Sequence, residues 1–439
     1  MKKLFIATTA ALALIITPLT AFADSAGFAA ESETVVSAQT PYDKKYVSID
    51  WHTSAGETIG VPIPYGEFLL IPTINKVNKL SEKDGTVTAS AEFDEKVSEN
   101  CKGAIINGRL IQPTRTSIYA VDTEDMSVIC SKIFGEIVTD IAVSDDLVFF
   151  GYKDGDRFVF CCADISYGLE TVWEYWSDKA PTSPARIDDT VMFGAGDKLI
   201  VSTDDGFAEN PIGVEITHIF AGKYAVFMCC SNGELRKLRL DEDGNAEEDT
   251  LESCMLGGEL TAPAGIDNHI YVGSSEGFFV VDGLNMEISE RFDDLENACA
   301  PVVTVGSGVR AYTAAPHADQ NGDRWYLYSI LDTDESQTAS ELAKIIDFTD
   351  GRISVSESGR MFFRDAKGQV WAISLVKPSV FAAAVRIVLL IAIFVMVLLI
   401  LRAWAKKRQE KKPPEYSGNT AQRPTYGFLR YCSKKLKIC

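Results

Sequence analysis

The residues of this 439-residue chain whose types and spacing could do chemistry begin with two oxygen-rich turns. Asp319-x-Asn321-x-Asp323 alternates oxygen ligands as the start of a calcium loop does, and so does Asp241-x-Asp243-x-Asn245 with Glu252 behind it. Neither has glycine at the sixth position, where Arg324 and Ala246 stand, and the first also lacks a carboxylate at the twelfth. Both read first as acidic hairpin tips, with calcium occupancy left open. The histidines His52, His218, His269 and His317 are too scattered to mark a metal centre and read as surface or strand residues. No Ser/His/Asp spacing, phosphate loop or H-E-x-x-H motif offers a hydrolase or nucleotide site. No catalytic or cofactor-binding residue is therefore named.

Adjacent cysteines occur twice, as Cys161-Cys162 and Cys229-Cys230. The first pair continues the strand-like run Phe158-Val159-Phe160 and the second ends the run Ala225 to Met228. Successive strand side chains point to opposite faces, so each pair is expected to divide between two faces as small buried hydrophobes.

Charge divides the chain. Residues 24–379 hold 28 Lys and Arg against 60 Asp and Glu, and residues 402–439 hold 11 against 2. An acidic main body of that size is not a nucleic-acid binder. Residues 1–23 combine Lys2 and Lys3, an apolar run from Leu4 to Ile16 and Ala21-Phe22-Ala23, the form of a secretory signal peptide. Residues 380–401 are apolar except for Arg386, enough to cross a hydrocarbon core of about 30 Å as one transmembrane helix. Arg402, Lys406, Lys407, Arg408, Lys411 and Lys412 follow at once, which puts the tail of residues 402–439 in the cytoplasm and the N-terminal domain outside. The basic tail also suits anionic inner-leaflet lipid. Residues 24–379 contain no Asn-x-Ser/Thr sequon, and with the short leader this points to a bacterial cell membrane.

The elements that must position any site in residues 46–376 are short strands. Residues 24–45, rich in Ala, Ser, Glu and Thr, are expected to be a flexible spacer. Beyond them, the segment with Leu70-Ile71-Pro72-Thr73 lies on that with Ile111-Gln112-Pro113-Thr114 at a constant offset of 41. The Ile270 unit lies on the Ile111 unit at an offset of 160, four times 40, and looser copies around Val148, Val191, Val226, Ala311 and Met361 bring the units to eight. Each has two β-branched or aromatic runs joined by a Gly, Asn or Asp turn, such as Lys153-Asp154-Gly155-Asp156 or Ser231-Asn232-Gly233. Those residues tolerate positive φ, as hairpins require.

A strand-only unit repeated every ~40 residues implies an all-β, seven- or eight-bladed β-propeller, followed here by the single transmembrane helix. The eighth unit stops short of an outer strand, and Tyr46-Val47-Ser48-Ile49-Asp50-Trp51 has no unit of its own. That segment is expected to complete the last blade and close the ring.

The unit Asn107-Gly108-Arg109-Leu110-Ile111-Gln112-Pro113-Thr114 followed by Ser117-Ile118-Tyr119-Ala120-Val121-Asp122 resembles the quinoprotein (PQQ-like) propeller repeat. The resemblance covers residues 46–376 and implies the fold. Its surface-anchored, non-enzymatic members imply a binding or scaffold module for a protein or glycan partner. Its dehydrogenases imply the alternatives of PQQ and calcium, with a vicinal disulfide, an indole floor and a carboxylate calcium set. Only five tryptophans precede residue 380, and none of those carboxylates can be assigned here. A structural, envelope-organising protein is a further alternative.

Overall fold

The computed structural model describes residues 28–29, 35–37 and 393–404, and residues 46–376 except positions 55, 100, 188–189, 223–224, 248, 267, 306–308, 320–321, 334–335, 346–351 and 366. The chain divides into residues 1–377 and residues 378–439. In the second unit, residues 393–404 are helical and exposed. Among the described residues no helix is long and apolar enough to cross a membrane, and the rest of 380–401 lies outside them.

The first unit is an all-β propeller of eight blades. Blades 1 to 7 comprise residues 63–92, 104–133, 142–177, 185–211, 216–255, 264–292 and 302–345, and blade 8 comprises residues 354–376. Each is an antiparallel meander running from the ring's centre outwards. The weak unit around Leu199 is a full blade, which settles the number at eight. Among the described residues three strands precede blade 1: β1 (Phe28–Ala29), β2 (Val35–Ser37) and β3 (Tyr46–Thr53). β3 pairs antiparallel with Val370–Val376 and supplies the fourth strand of blade 8, so the two ends of the ring meet in one sheet. The closing strand is thus the one expected from the unassigned segment.

Burial explains the sequence pattern within a blade. Second and third strands lie between neighbouring blades and are covered on both faces, so they read as continuous apolar runs such as Val148-Phe149-Phe150. Outer strands such as Val128–Ile133 are largely exposed. The core is a series of packets between adjacent blades. One joins blades 2 and 3 through Ile111, Ile118, Phe150 and Cys161. Another joins blades 8 and 1 through Phe362, Val370, Trp51, Leu69 and Leu80.

A polar staple recurs at the inner end of several blades. Thr139 Oγ1 accepts the Gly151 N–H at 2.7 Å, Thr182 Oγ1 that of Gly194 at 2.9 Å, and Thr261 Oγ1 that of Gly273 at 3.1 Å. The twelve-residue spacing is constant. A Cβ on Gly151 would lie 2.7 Å from Thr139 Cγ2 and 2.5 Å from Pro181 Cγ, so close approach, not turn conformation, requires the glycine there.

Residues 24–45 were expected to be a spacer, yet two of the described strands come from them. β1 adds to the inner strand of blade 4 and β2 to that of blade 7. Composition does not reveal this, because an open inner edge can pair with any extended backbone.

Candidate functional site

The segments entering the inner strands bring a polar layer to the ring's centre. Lys102, Asp140, Ser183 and Arg352 each stand two residues before the inner strand of their blade, at Ala104, Ala142, Ala185 and Ser354. Arg352 of blade 8 reaches Asp140 of blade 3, with Nη1 3.0 Å from both Oδ1 and Oδ2. Asp140 Oδ1 also accepts the Lys102 N–H at 2.7 Å, and the Asp140 N–H donates to Ser183 Oγ at 3.1 Å. Asp140 therefore ties blades 2, 3, 4 and 8 together, its carboxylate holding Lys102 and Arg352 and its N–H holding Ser183. Arg352 keeps 42% of its side-chain surface accessible against 11% for Asp140, as suits a guanidinium lining a central channel.

His218, on the inner strand of blade 5, joins this layer. Burial, aided by the Arg352 charge and opposed by Asp140, holds its imidazole down to about 4, so it is neutral at physiological pH. The Cys101 thiol is pushed up to about 11, first by burial. Asp140 holds the Arg352 guanidinium more firmly protonated. This layer was not foreseen. Its members come from four separate connections, and only a blade-by-blade alignment counted back from the inner strands would have put Asp140 and Arg352 in register.

A second feature lies on the face formed by first-to-second and third-to-fourth strand turns. There blades 4, 5 and 6 enclose a cleft of about 1730 Å³. Its floor includes Met192, Phe220, Phe227 and Ile270, and its rim includes Asp204, Asp205, Glu242 and Asp243. The wall is the 239–251 connection of blade 5, bound to blade 4 by Asn210, whose Nδ2 donates to Gly244 O at 2.9 Å and whose Oδ1 accepts the Ala246 N–H at 2.6 Å. Gly244 packs so closely on Val201 that a Cβ would come within 2.9 Å of its Cγ1.

The calcium-loop candidates divide between described and undescribed residues. Asp241 and Asp243 lie in the cleft wall, but Asp241 Oδ1 is occupied by the N–H groups of Asp243 (3.0 Å) and Asn245 (2.8 Å). That arrangement is an Asx turn. Asp319 and Asp323 fall at the end of the blade 7 hairpin, where Asp319 pairs with Gly322 and Ala318 with Asp323, and Asn321 lies outside the described residues. Among the described residues no group of three or more His, Cys, Asp or Glu is arranged to hold a metal ion.

The adjacent cysteines divide between faces as expected. Cys161 packs between blades 2 and 3 and Cys162 between blades 3 and 4. Cys229 packs towards blade 6 and Cys230 towards blade 4. Burial pushes both the Cys161 and the Cys162 thiol up to about 12.

A ring of eight antiparallel blades, closed by the strand Tyr46–Thr53, defines a β-propeller. Many solved structures share the fold. BamB from Moraxella catarrhalis is 14% identical with a TM-score of 0.55, over 75% of this chain and 99% of that one. Sqt1 from Saccharomyces cerevisiae is 10% identical with a TM-score of 0.58, over 76% of this chain and all of that one. At such identities the likeness is one of fold. No family model matches the chain, and no curated protein matches it in sequence.

Proposed function

We propose that this protein is a binding or scaffold module, not an enzyme, held on the outer side of a bacterial cell membrane. The observation that carries the reading is the cleft over blades 4, 5 and 6. It has an apolar floor, an acidic rim and a wall pinned to the neighbouring blade by Asn210. A preformed concave surface on a rigid ring is what recognition of a partner asks for, and turns carried on such a scaffold can vary without disturbing the core. The acid rim favours a protein with a basic surface over a neutral glycan. Membrane attachment is supported by the apolar run 380–401 and the basic residues behind it, with residues 1–23 as export signal. Lipid contact through the basic tail belongs to the same reading.

The test compares two versions of the tagged full-length protein, wild type and Asp204→Lys/Asp205→Lys/Asp243→Lys, after mild crosslinking in the native membrane. A protein captured in stoichiometric amount by the wild type and lost by the triple variant supports the reading. A partner retained equally by both sinks the cleft as its site, and a propeller recovered alone from both sinks the protein-scaffold reading.

A further inference from the structure

The first strand of each blade has one edge bonded to the second strand and the other turned to the ring's centre. Among the described residues that inward edge carries a further strand in blades 4 and 7. β1 pairs antiparallel with Ala185–Ile187, setting Phe28 opposite Arg186 and Ala29 opposite Ala185. β2 pairs parallel with Val302–Val305, setting Val35, Val36 and Ser37 opposite Val303, Thr304 and Val305. Both sheets thereby gain a fifth strand on the channel side.

We propose that the inward edges of blades 4 and 7 form a docking site for an extended polypeptide, recognised through its backbone, and that β1 and β2 are its resident, exchangeable occupants.

Three observations carry this. A bare strand edge presents unpaired N–H and C=O groups and accepts extended chain with little regard for side chains. The occupancy is short, two residues on blade 4 and three on blade 7, so few hydrogen bonds hold it. The occupant is also tethered, because only residues 38–45 separate β2 from β3, which is locked into blade 8 over seven paired positions. A short tether keeps β2 at an effective concentration on the order of millimolar at its edge. A free peptide must exceed that to displace it, whereas an emptied edge would take the same peptide at far lower concentration. The site adjoins the cleft over blades 4 to 6 at Ile187 but does not rest on the function proposed for that cleft.

The full-length protein is compared with its Val35→Pro/Val36→Pro variant. Successive residues of a strand point their N–H groups to opposite sides, so two adjacent prolines remove whichever donor faces blade 7. The probe is a synthetic peptide of residues 24–45. Amide exchange at residues 302–305 should quicken at least tenfold in the variant while the other blades keep their protection, and the peptide should bind the variant at least tenfold more tightly than the wild type. Unchanged exchange at 302–305, or equal affinity for both proteins, overturns the proposal. If the double variant fails to fold, Phe28→Pro/Ala29→Pro takes its place with residues 185–187 as the readout and the same two criteria.

Discussion

Arg352 and Asp140 stand 212 residues apart in the chain, on blades three places apart around the ring, yet one guanidinium nitrogen is 3.0 Å from both carboxylate oxygens. A contact of this reach forms only after the ring closes. Asp140→Ala leaves Arg352 without its carboxylate and the Lys102 N–H without its acceptor, so a loss of about 1–3 kcal/mol is expected in denaturant unfolding. Arg352→Ala costs less, because its side chain is partly open to solvent. The double variant should show coupling of about 0.5 kcal/mol or more; strictly additive losses would mean the pair contributes nothing.

His218 makes the ring's stability depend on pH. Its pKa falls from 6.5 in the unfolded chain to about 4 in the fold, because burial, and then Arg352, disfavours the imidazolium. Below pH 6.5 the unfolded state takes up a proton that the folded state refuses. The stability contributed by the neutral imidazole is therefore whole above pH 6.5, is lost as pH falls towards 4, and falls no further below that. In His218→Gln the slope between pH 6.5 and 4 should flatten. An unchanged slope would assign it to other groups.

The fold was legible because its signals are local and repeated. The offset of 41, the Asn232-Gly233 and Asp154-Gly155 turns and the doubly covered apolar runs each state a strand or its end within a few residues. The unassigned segment at Tyr46 was legible for a related reason: the eighth unit lacked a strand. The polar centre was not, since Asp140, Arg352 and His218 meet only through the closed ring and each sits in an unremarkable local context. His218 was taken for a surface or strand residue, and only the strand half of that reading describes it. The Asp241 motif shows the converse, a pattern with metal-like spacing in which Asp241 Oδ1 accepts two N–H groups of its own turn.

Lysines on third strands tie blades together, which apolar packing alone would not disclose. Lys79 of blade 1 donates to Thr123 O at 2.7 Å and Glu124 O at 3.2 Å in blade 2. Lys237 of blade 5 donates to Leu284 O at 2.7 Å in blade 6. Both cations are buried, and Lys79 also lies 4.0 Å above the Phe68 ring. Lys79→Met strands two carbonyls that lose a charged donor and should cost about 1–3 kcal/mol, measured by chemical unfolding, despite its similar length and greater hydrophobicity. Neutral or increased stability would show that burying the charge offsets the bonds it makes.

Thiol reactivity should divide the eight cysteines of the ring. Burial raises Cys161, Cys162 and Cys299 to about 12 and Cys101 and Cys230 to about 11, so almost none of these is thiolate at pH 8. Cys130, half-buried on the outer strand of blade 2, is raised too but is the most accessible of the eight. Brief alkylation of the native protein, read by peptide mass mapping, should modify Cys130 well before the other seven. Rapid labelling of Cys161 or Cys162 would contradict their placement between blades.

Closure of the ring concentrates its stability at Trp51. The indole is 9% exposed, packs 6.0 Å from the Phe362 ring centroid, and donates from Nε1 to Glu82 O at 2.8 Å. The same carbonyl accepts from Arg360 Nη1, whose Nε binds Asp50 at 2.6 Å, so residues of β3, blade 8 and blade 1 converge on one point. Gly85, with φ +71, lies so close that a Cβ would meet the indole at 2.7 Å. Trp51→Ala should cost about 3–5 kcal/mol, the range for emptying a buried aromatic site. Trp51→Phe keeps most of the volume and loses the hydrogen bond, so it should cost less. Because β3 holds the last blade to the first, the loss should appear mainly as faster unfolding, with amide exchange quickening first in blades 8 and 1. If exchange instead rises evenly around all eight blades, the ring does not open at this seam.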